Sequence, residues 1–214
     1  MPAPQVHITR ARWVREIDKL MAVEGADLPL LRTVRTWIEE GVKSVFPNGP
    51  PPREKHTNTH TFTANEEVCK ERLAVYRDMG ALRKLAGAPP AGAHVQPLHA
   101  VIKEGKSARV CVDLSRNFND FIPDQTFGMA TLQDAVELSM EAGRRAWYVK
   151  LDISACFLSF PIHPDDLQYF YCQAGGDFYQ FLTLVFGRKD TPLVASILLD
   201  VVSTSITELR RCLT

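Results

Sequence analysis

A single carboxylate, Asp152, lies near the end of a segment in which apolar and polar residues alternate. In residues 147–153, Val149 and Leu151 point to one face and polar side chains to the other. This period of two, with β-branched and aromatic residues, predicts a β-strand. Asp152 thus lies near a strand end, where enzymes built on sheets tend to place chemistry, and Phe157 follows five residues later. The alternative is an amphipathic strand whose carboxylate is only solvated.

Three cationic side chains, Lys103, Lys106 and Arg109, gather at or near the tip of a predicted β-hairpin. Residues 97–102 and 107–113 form its two strands, and a tight turn from Lys103 to Lys106 joins them. Three cations on a mobile ribbon suit a triphosphate or a nucleic-acid backbone. A charged, solvated hairpin end is the alternative.

Capping and turn residues mark the elements around these side chains. The segment Thr63-Ala-Asn-Glu66 has the spacing of a capping box and predicts a helix that stops at Gly80. The same signal at Thr131 and Asp134 predicts a second helix. Further on, residues 169–184 read as a hairpin turning at two glycines.

Thr191 and Pro192 fit the N-cap and first position of a helix with a broad apolar face.

The first part of the chain reads as a pair of helices, over residues 12–21 and 30–45. Consecutive prolines then break the chain between about residues 46 and 58. We therefore expect a helical N-terminal segment with a Pro-rich linker over residues 1–58, and a second unit over residues 59–214.

Composition excludes some classes of protein. Lys plus Arg equals Asp plus Glu at 25 each, so any basic surface must be local. Five cysteines without a Cys-x-x-Cys pair indicate a reducing compartment, and no apolar run is long enough for a membrane span. We expect an intracellular protein, cytoplasmic or nuclear, that is not in a membrane.

Three blocks in this order resemble the reverse transcriptases of retroelements, in particular of the long-terminal-repeat and DIRS-type retrotransposons. The first is the hairpin of residues 98–113 with Asn119 after it. The second runs from Lys150-Leu-Asp152 through Phe157 to Pro161-Ile-His-Pro164. The third is Tyr179 to Gly187 followed by Thr191-Pro192. The resemblance covers about residues 62–214 and implies an α+β fold, the fingers and first part of the palm, in which an antiparallel sheet packs against helices.

The resemblance also implies roles for particular residues. Asp152 would bind catalytic Mg²⁺, with the backbone carbonyl of Ile153 sharing that task. Phe157 matches the aromatic position that excludes a 2′-hydroxyl from the incoming sugar. Phe186 and Gly187 match residues that line the templating pocket, where glycine allows close backbone approach.

The cationic hairpin matches the fingers residues that hold the triphosphate of a dNTP. The resemblance implies that Arg109 would bind the triphosphate together with Lys103 or Lys106, and the sequence leaves open which lysine it is. The implied partners are a dNTP and a nucleic-acid template-primer.

The sequence departs from the family pattern on both sides of Phe186 and Gly187. The usual proline is Val185, the usual hydrophobic residue is Arg188, and Thr191 replaces an alanine. The run Arg188-Lys189-Asp190 adds charge where the family is usually apolar or small, on the side that packs near the template.

A second departure is the missing Tyr-x-Asp-Asp hairpin, which supplies the other carboxylates that two-metal phosphoryl transfer requires. We therefore expect a truncated reverse transcriptase domain, without polymerase activity as this chain alone unless a second chain completes the palm. The alternative is a non-catalytic module, derived from such an enzyme, that binds nucleic acid or a protein.

Overall fold

The fold combines helices with short strands in a computed structural model that describes residues 10–54, 56–128, 131–143 and 156–201. The strand expected over residues 147–153 lies outside this described part. The elements are α1 (Arg10–Met21), α2 (Leu28–Glu40), α3 (His60–Thr63), α4 (Glu66–Asp78), β1 (Leu82–Lys84), β2 (Val95–Gln96), β3 (Leu98–Val101), β4 (Arg109–Val112), α5 (Phe118–Phe121), α6 (Leu132–Ala142), β5 (Tyr171–Ala174), β6 (Asp177–Phe181) and α7, which is helical over residues 191–201. Short 3₁₀ helices occupy Cys156–Ser159 and Pro164–Tyr169. The protein is thus α+β, with small sheets and packed helices.

Two sheets form from the six described strands. One has the order β1-β6-β5-β2, antiparallel except where β2 pairs with β5, and the other is the β3–β4 hairpin. The predicted second hairpin is confirmed as β5 and β6. Gly175 and Gly176 form its turn with φ angles of +56° and +83°, the left-handed region that a two-residue hairpin turn needs.

The N-terminal helices pack as a pair with their own small core. Asp27 caps α2, since its side chain accepts a hydrogen bond from the Leu30 amide at 3.0 Å. The expected extension of this helix to Val45 is wrong, because α2 ends before Gly41. The core of the pair consists of Ile17, Leu20, Leu31, Val34 and Ile38, with Val201 of α7.

Gly41 ends α2 where the chain turns to pair with a distant segment. Its φ of +95° favours glycine, and a Cβ there would lie 2.6 Å from the His163 backbone nitrogen. Beyond it, the Val42 amide donates to the Pro161 carbonyl at 2.8 Å. Helix 2 therefore stops because residue 42 joins residues 161–163.

The main core lies between α4, the sheets and α5. The start of α4, which packs on this core, differs from the sequence prediction, because Thr63 ends α3 and does not cap α4. The Thr63 hydroxyl donates to the His60 carbonyl at 3.1 Å, while Asn65 occupies the N-cap position of α4 without a side-chain cap. The side chains that fill this core include Phe62, Leu73, Tyr76, Leu98, Val110, Val112, Phe118, Phe160, Phe170 and Phe181.

The proline-rich segment contacts the second unit along its length. The Phe46 ring lies edge-on to Phe118 with centroids 5.6 Å apart. The Pro52 carbonyl accepts a hydrogen bond from the Asn117 amide group at 2.7 Å, and the Asn58 side chain accepts one from the Leu98 amide at 2.9 Å. These contacts hold the segment against the core, and the expected division of the chain near residue 58 stays a prediction.

Helix α6 confirms the second capping box. The Thr131 hydroxyl accepts from the Asp134 amide, and the Asp134 carboxylate accepts from the Thr131 amide. None of its side chains is buried, and Leu132 and Met140 are among those exposed. Within the described ranges no helix is both long and apolar enough to cross a bilayer.

Candidate functional site

The β3–β4 hairpin carries the cationic candidates. Val101 pairs with Arg109, so the strands are shorter than expected and the connecting loop spans residues 102–108. Inside this loop the Lys106 amide donates to the Lys103 carbonyl at 3.1 Å. Because side chains alternate along β4, Val110 and its apolar partners face the core while Arg109 faces outward.

Lys103, Lys106 and Arg109 are all exposed. Among the residues that the structure describes, none forms an ion pair with any of the three. Their charge is therefore not neutralised by the described protein and is available to an anionic partner.

The segment carrying Phe186 and Gly187 lies directly beside the other end of β4. The Val112 amide donates to the Phe186 carbonyl at 2.9 Å. Gly187 has a φ of +113°, and a Cβ on it would lie only 2.0 Å from the Val112 carbonyl oxygen. The close approach to β4 therefore requires glycine at this position.

Phe157 contacts Phe186, although the two residues lie far apart in the sequence. The 3₁₀ helix Cys156–Ser159 positions Phe157 so that the two ring centroids lie 5.2 Å apart, with the ring planes at 59°. Both rings are half-buried. They form an apolar surface beside Val112, and Arg109 lies three residues away along β4, about 10 Å at the rise of an extended strand.

Asn119 holds the Gly187 segment from the other side. Its side-chain amide donates to the Gly187 carbonyl at 2.8 Å, and its side-chain oxygen accepts from the Lys189 amide at 3.1 Å. The sequence indicated Asn119 only as a member of the first block. Nothing in the sequence around Asn119 indicates that it bridges these two groups, because both partners lie far along the chain.

Arg188 does not bring charge to the surface of the site, contrary to the expectation from its position. Its side chain is fully buried, and its guanidinium donates to both oxygens of Asp190, at 2.6 and 2.8 Å. The departure from an apolar residue is thus accommodated by an internal ion pair.

Asp165 and Asp166, the only adjacent aspartates in the sequence, have structural roles. The buried Asp166 carboxylate accepts a hydrogen bond from the Ser44 amide. Asp165 is exposed and pairs with Lys43 at 2.7 Å, and this hydrogen bond, followed by the charge of Lys43, lowers the pKa of the Asp165 carboxyl.

Asp152 and Ile153, the expected Mg²⁺ ligands, lie outside the described residues. Within the described ranges, no cluster of three or more His, Cys, Asp or Glu side chains could hold a metal ion.

Two open clefts in the described part of the chain lie away from the candidate site. One open cleft of about 460 Å³ is lined by Arg53, His56, Val95, Phe178 and neighbouring residues, and a second of similar volume lies beside Pro161 and His163. Neither includes the cationic hairpin or the paired phenylalanines.

Comparison with known proteins gives structural but not sequence similarity. No family model matches the chain, and no curated protein matches it in sequence. The chain is similar in structure to the foamy viral protease-reverse transcriptase in complex with an RNA/DNA hybrid, with a TM-score of 0.52, 16% identity and 88% of this chain covered. It is also similar to a mutant of the prototype foamy virus protease-reverse transcriptase, with a TM-score of 0.51, 18% identity and the same coverage.

These comparisons establish the class of fold. The described chain has a reverse-transcriptase-like fold, and it spans 26% of the length of each of these two neighbours.

Proposed function

We propose that this chain is the nucleotide- and template-facing part of an RNA-directed DNA polymerase from a retrotransposon of the LTR or DIRS type. In this proposal residues 59–214 are the fingers and first part of the palm. The main support is that segments distant in sequence come together: Phe157 contacts Phe186, and Gly187 lies against Val112, at the other end of the strand that begins with Arg109.

Each side chain has a distinct task in this proposal. Phe157 packs under the sugar of the incoming nucleotide, where its apolar ring disfavours a 2′-hydroxyl. Arg109 and one of the two hairpin lysines bind the triphosphate as cations.

Asp152 and the Ile153 carbonyl would hold Mg²⁺ as hard oxygen ligands. The metal, when bound, neutralises charge on the phosphates. Phe186 and Gly187 line the templating position.

Copying needs more than these residues supply. Two-metal phosphoryl transfer uses carboxylates from two places, and the 214 residues contain no Tyr-x-Asp-Asp. We infer that this polypeptide binds Mg²⁺–dNTP and a template-primer but extends a primer only when a second chain or segment supplies the other carboxylates.

Nucleotide binding tests the proposal. Fluorescence anisotropy of a labelled dNTP, with and without Mg²⁺, should show binding by the natural chain that requires the metal. Asp152→Asn should abolish the Mg²⁺-dependent part. Asp165→Asn is the matched control, since this carboxylate is exposed and paired with Lys43. Equal binding by the natural chain and Asp152→Asn, or no metal dependence, would refute the proposed Mg²⁺–nucleotide site.

A non-catalytic nucleic-acid-binding module is the second candidate. One observation favours it: three exposed hairpin cations have no ion-pair partner in the described part of the chain. Replacing Lys103, Lys106 and Arg109 by Gln should then weaken binding to a template-primer and reduce the slope of log affinity against log salt by about 2–3. Asp152→Asn should leave this binding unchanged. Loss of Mg²⁺-dependent dNTP binding in the triple variant would favour the proposed polymerase over the non-catalytic module.

A further inference from the structure

Arg188 is the most deeply buried charge in the described part of the chain, with no exposed side-chain surface. Its guanidinium lies 5.9 Å from the ring centroids of both Phe118 and Phe170, two core residues that also contact each other. Such positions over aromatic faces attract a cation. The side chain therefore reaches from the candidate site into the main core.

The ion pair with Asp190 lies within a short segment, residues 186–190, that is hydrogen-bonded at both ends. At one end the Phe186 carbonyl is bonded to β4, and at the other the Asp190 carbonyl accepts the first backbone hydrogen bond of α7, from Val194 at 3.2 Å. Between them, Arg188 is the side chain that extends into the core. The segment is consequently fixed at β4, in the core and at the start of α7.

The two partners of this pair are not equivalent. Asp190 lies at the N-terminus of α7, where backbone N–H groups favour a negative charge. Arg188 has no other acidic partner among the described residues, and its Nη1 atom is buried without a hydrogen-bond acceptor there. Buried ion pairs add little net stability compared with apolar side chains of similar size. The arrangement therefore fits a role in specifying a conformation better than a role in stabilising the fold.

We propose that Arg188 is a positioning residue: its ion pair with Asp190 fixes the backbone of Phe186 and thereby holds the Phe186 ring against Phe157. Within the proposed function, this contact sets the width of the space that receives the nucleotide sugar. Arg188 itself touches neither the sugar nor the phosphates.

Hydrogen exchange tests the positioning without any nucleotide. In Arg188→Met, the Val112 amide, which donates to the Phe186 carbonyl, should exchange at least about tenfold faster. The Leu85 amide, which donates to the Phe178 carbonyl, should keep its rate. Lys189→Met is the matched control, because the neighbouring Lys189 pairs with a fully exposed Asp124. Unchanged exchange at Val112 in a folded Arg188→Met protein would overturn the proposal.

Sugar selection tests the consequence for the site. The ratio of dNTP to rNTP affinity should fall about tenfold in Arg188→Met, as expected when a close contact in a pocket is lost. Arg188→Lys retains the charge and should recover part of both the ratio and the Val112 protection. If the natural chain binds no nucleotide but Val112 still loses protection in Arg188→Met, the proposed function fails while the positioning role stands. An unchanged ratio in a variant that has lost Val112 protection would refute the link to sugar selection.

Discussion

The sharpest test of the site geometry is the replacement Gly187→Ala. The added Cβ would lie 2.0 Å from the Val112 carbonyl oxygen, a distance that no relaxed structure tolerates, and both groups belong to the backbone. Relief therefore requires the Phe186–Gly187 segment to separate from β4. The same movement breaks the hydrogen bond from the Val112 amide to the Phe186 carbonyl.

The expected cost combines three effects. A left-handed φ on a residue with a Cβ costs about 1–2 kcal/mol, overpacking costs about 1–3 kcal/mol, and a lost hydrogen bond costs about 1 kcal/mol. The total is about 3–6 kcal/mol, a large part of the 5–15 kcal/mol that typically separates folded from unfolded domains. Urea unfolding followed by circular dichroism should show a midpoint lowered by at least about 1 M.

Gly176→Ala separates the steric clash from the backbone strain. Gly176 also has a left-handed φ, +83°, but nothing lies within 4 Å of its added Cβ. This variant should lose only about 1–2 kcal/mol. If Gly187→Ala is no less stable than Gly176→Ala, then Gly187 does not approach β4 as described, and the assembly of the site from these two segments is wrong.

Three further perturbations probe the surroundings of the site. Asp166→Ala should lower the free energy of unfolding by about 1–3 kcal/mol, because the Ser44 amide loses its buried acceptor, whereas Asp165→Ala should change little in the same urea titration. Burial, reinforced by the charge of Arg53, lowers the pKa of His94 below its usual value, so the unfolded chain takes up the proton first as the pH falls. Stability should therefore fall from pH 7 to pH 5, and less so in His94→Gln. Burial raises the pKa of the Cys172 thiol, so this thiol should not react with iodoacetamide at pH 8 in the native protein but should react in urea, as measured by mass spectrometry. Labelling of the native protein would contradict the placement of Cys172 in the core.

Local signals in the sequence predicted local structure well where no distant contact competes. The capping box at Thr131 satisfies backbone donors within one turn, and the helix begins where it indicates. Gly175 and Gly176 likewise determine the turn between β5 and β6, because two left-handed residues in succession are costly for any other amino acid. Short-range hydrogen bonding and sterics decide both features.

The same signals failed where distant segments compete for the backbone. Thr63 has the spacing of a capping box, but Phe62 is buried in the main core and the Thr59 amide donates to the Leu98 carbonyl. These contacts make residues 60–63 a separate short helix. Thr191 is the first residue of α7 and not its cap, since the Asp190 carbonyl accepts the first helical hydrogen bond. The predicted start of α7 is therefore one residue too late, because Asp190 belongs to a residue type that caps a helix as well as threonine does.

The paired side chains of the site show why part of it lies beyond sequence reasoning. Arg188 looked like charge added to a template-facing surface, because an arginine in an apolar pattern is usually solvated. Whether Arg188 is exposed or buried depends on Asp190 and on the aromatic faces of Phe118 and Phe170. The two phenylalanines come from other parts of the chain. A buried arginine is stable only when such partners converge, and convergence is a property of the tertiary fold. The sequence therefore identifies candidate residues, whereas the packing decides which of them are exposed at the candidate site and which hold the others in place.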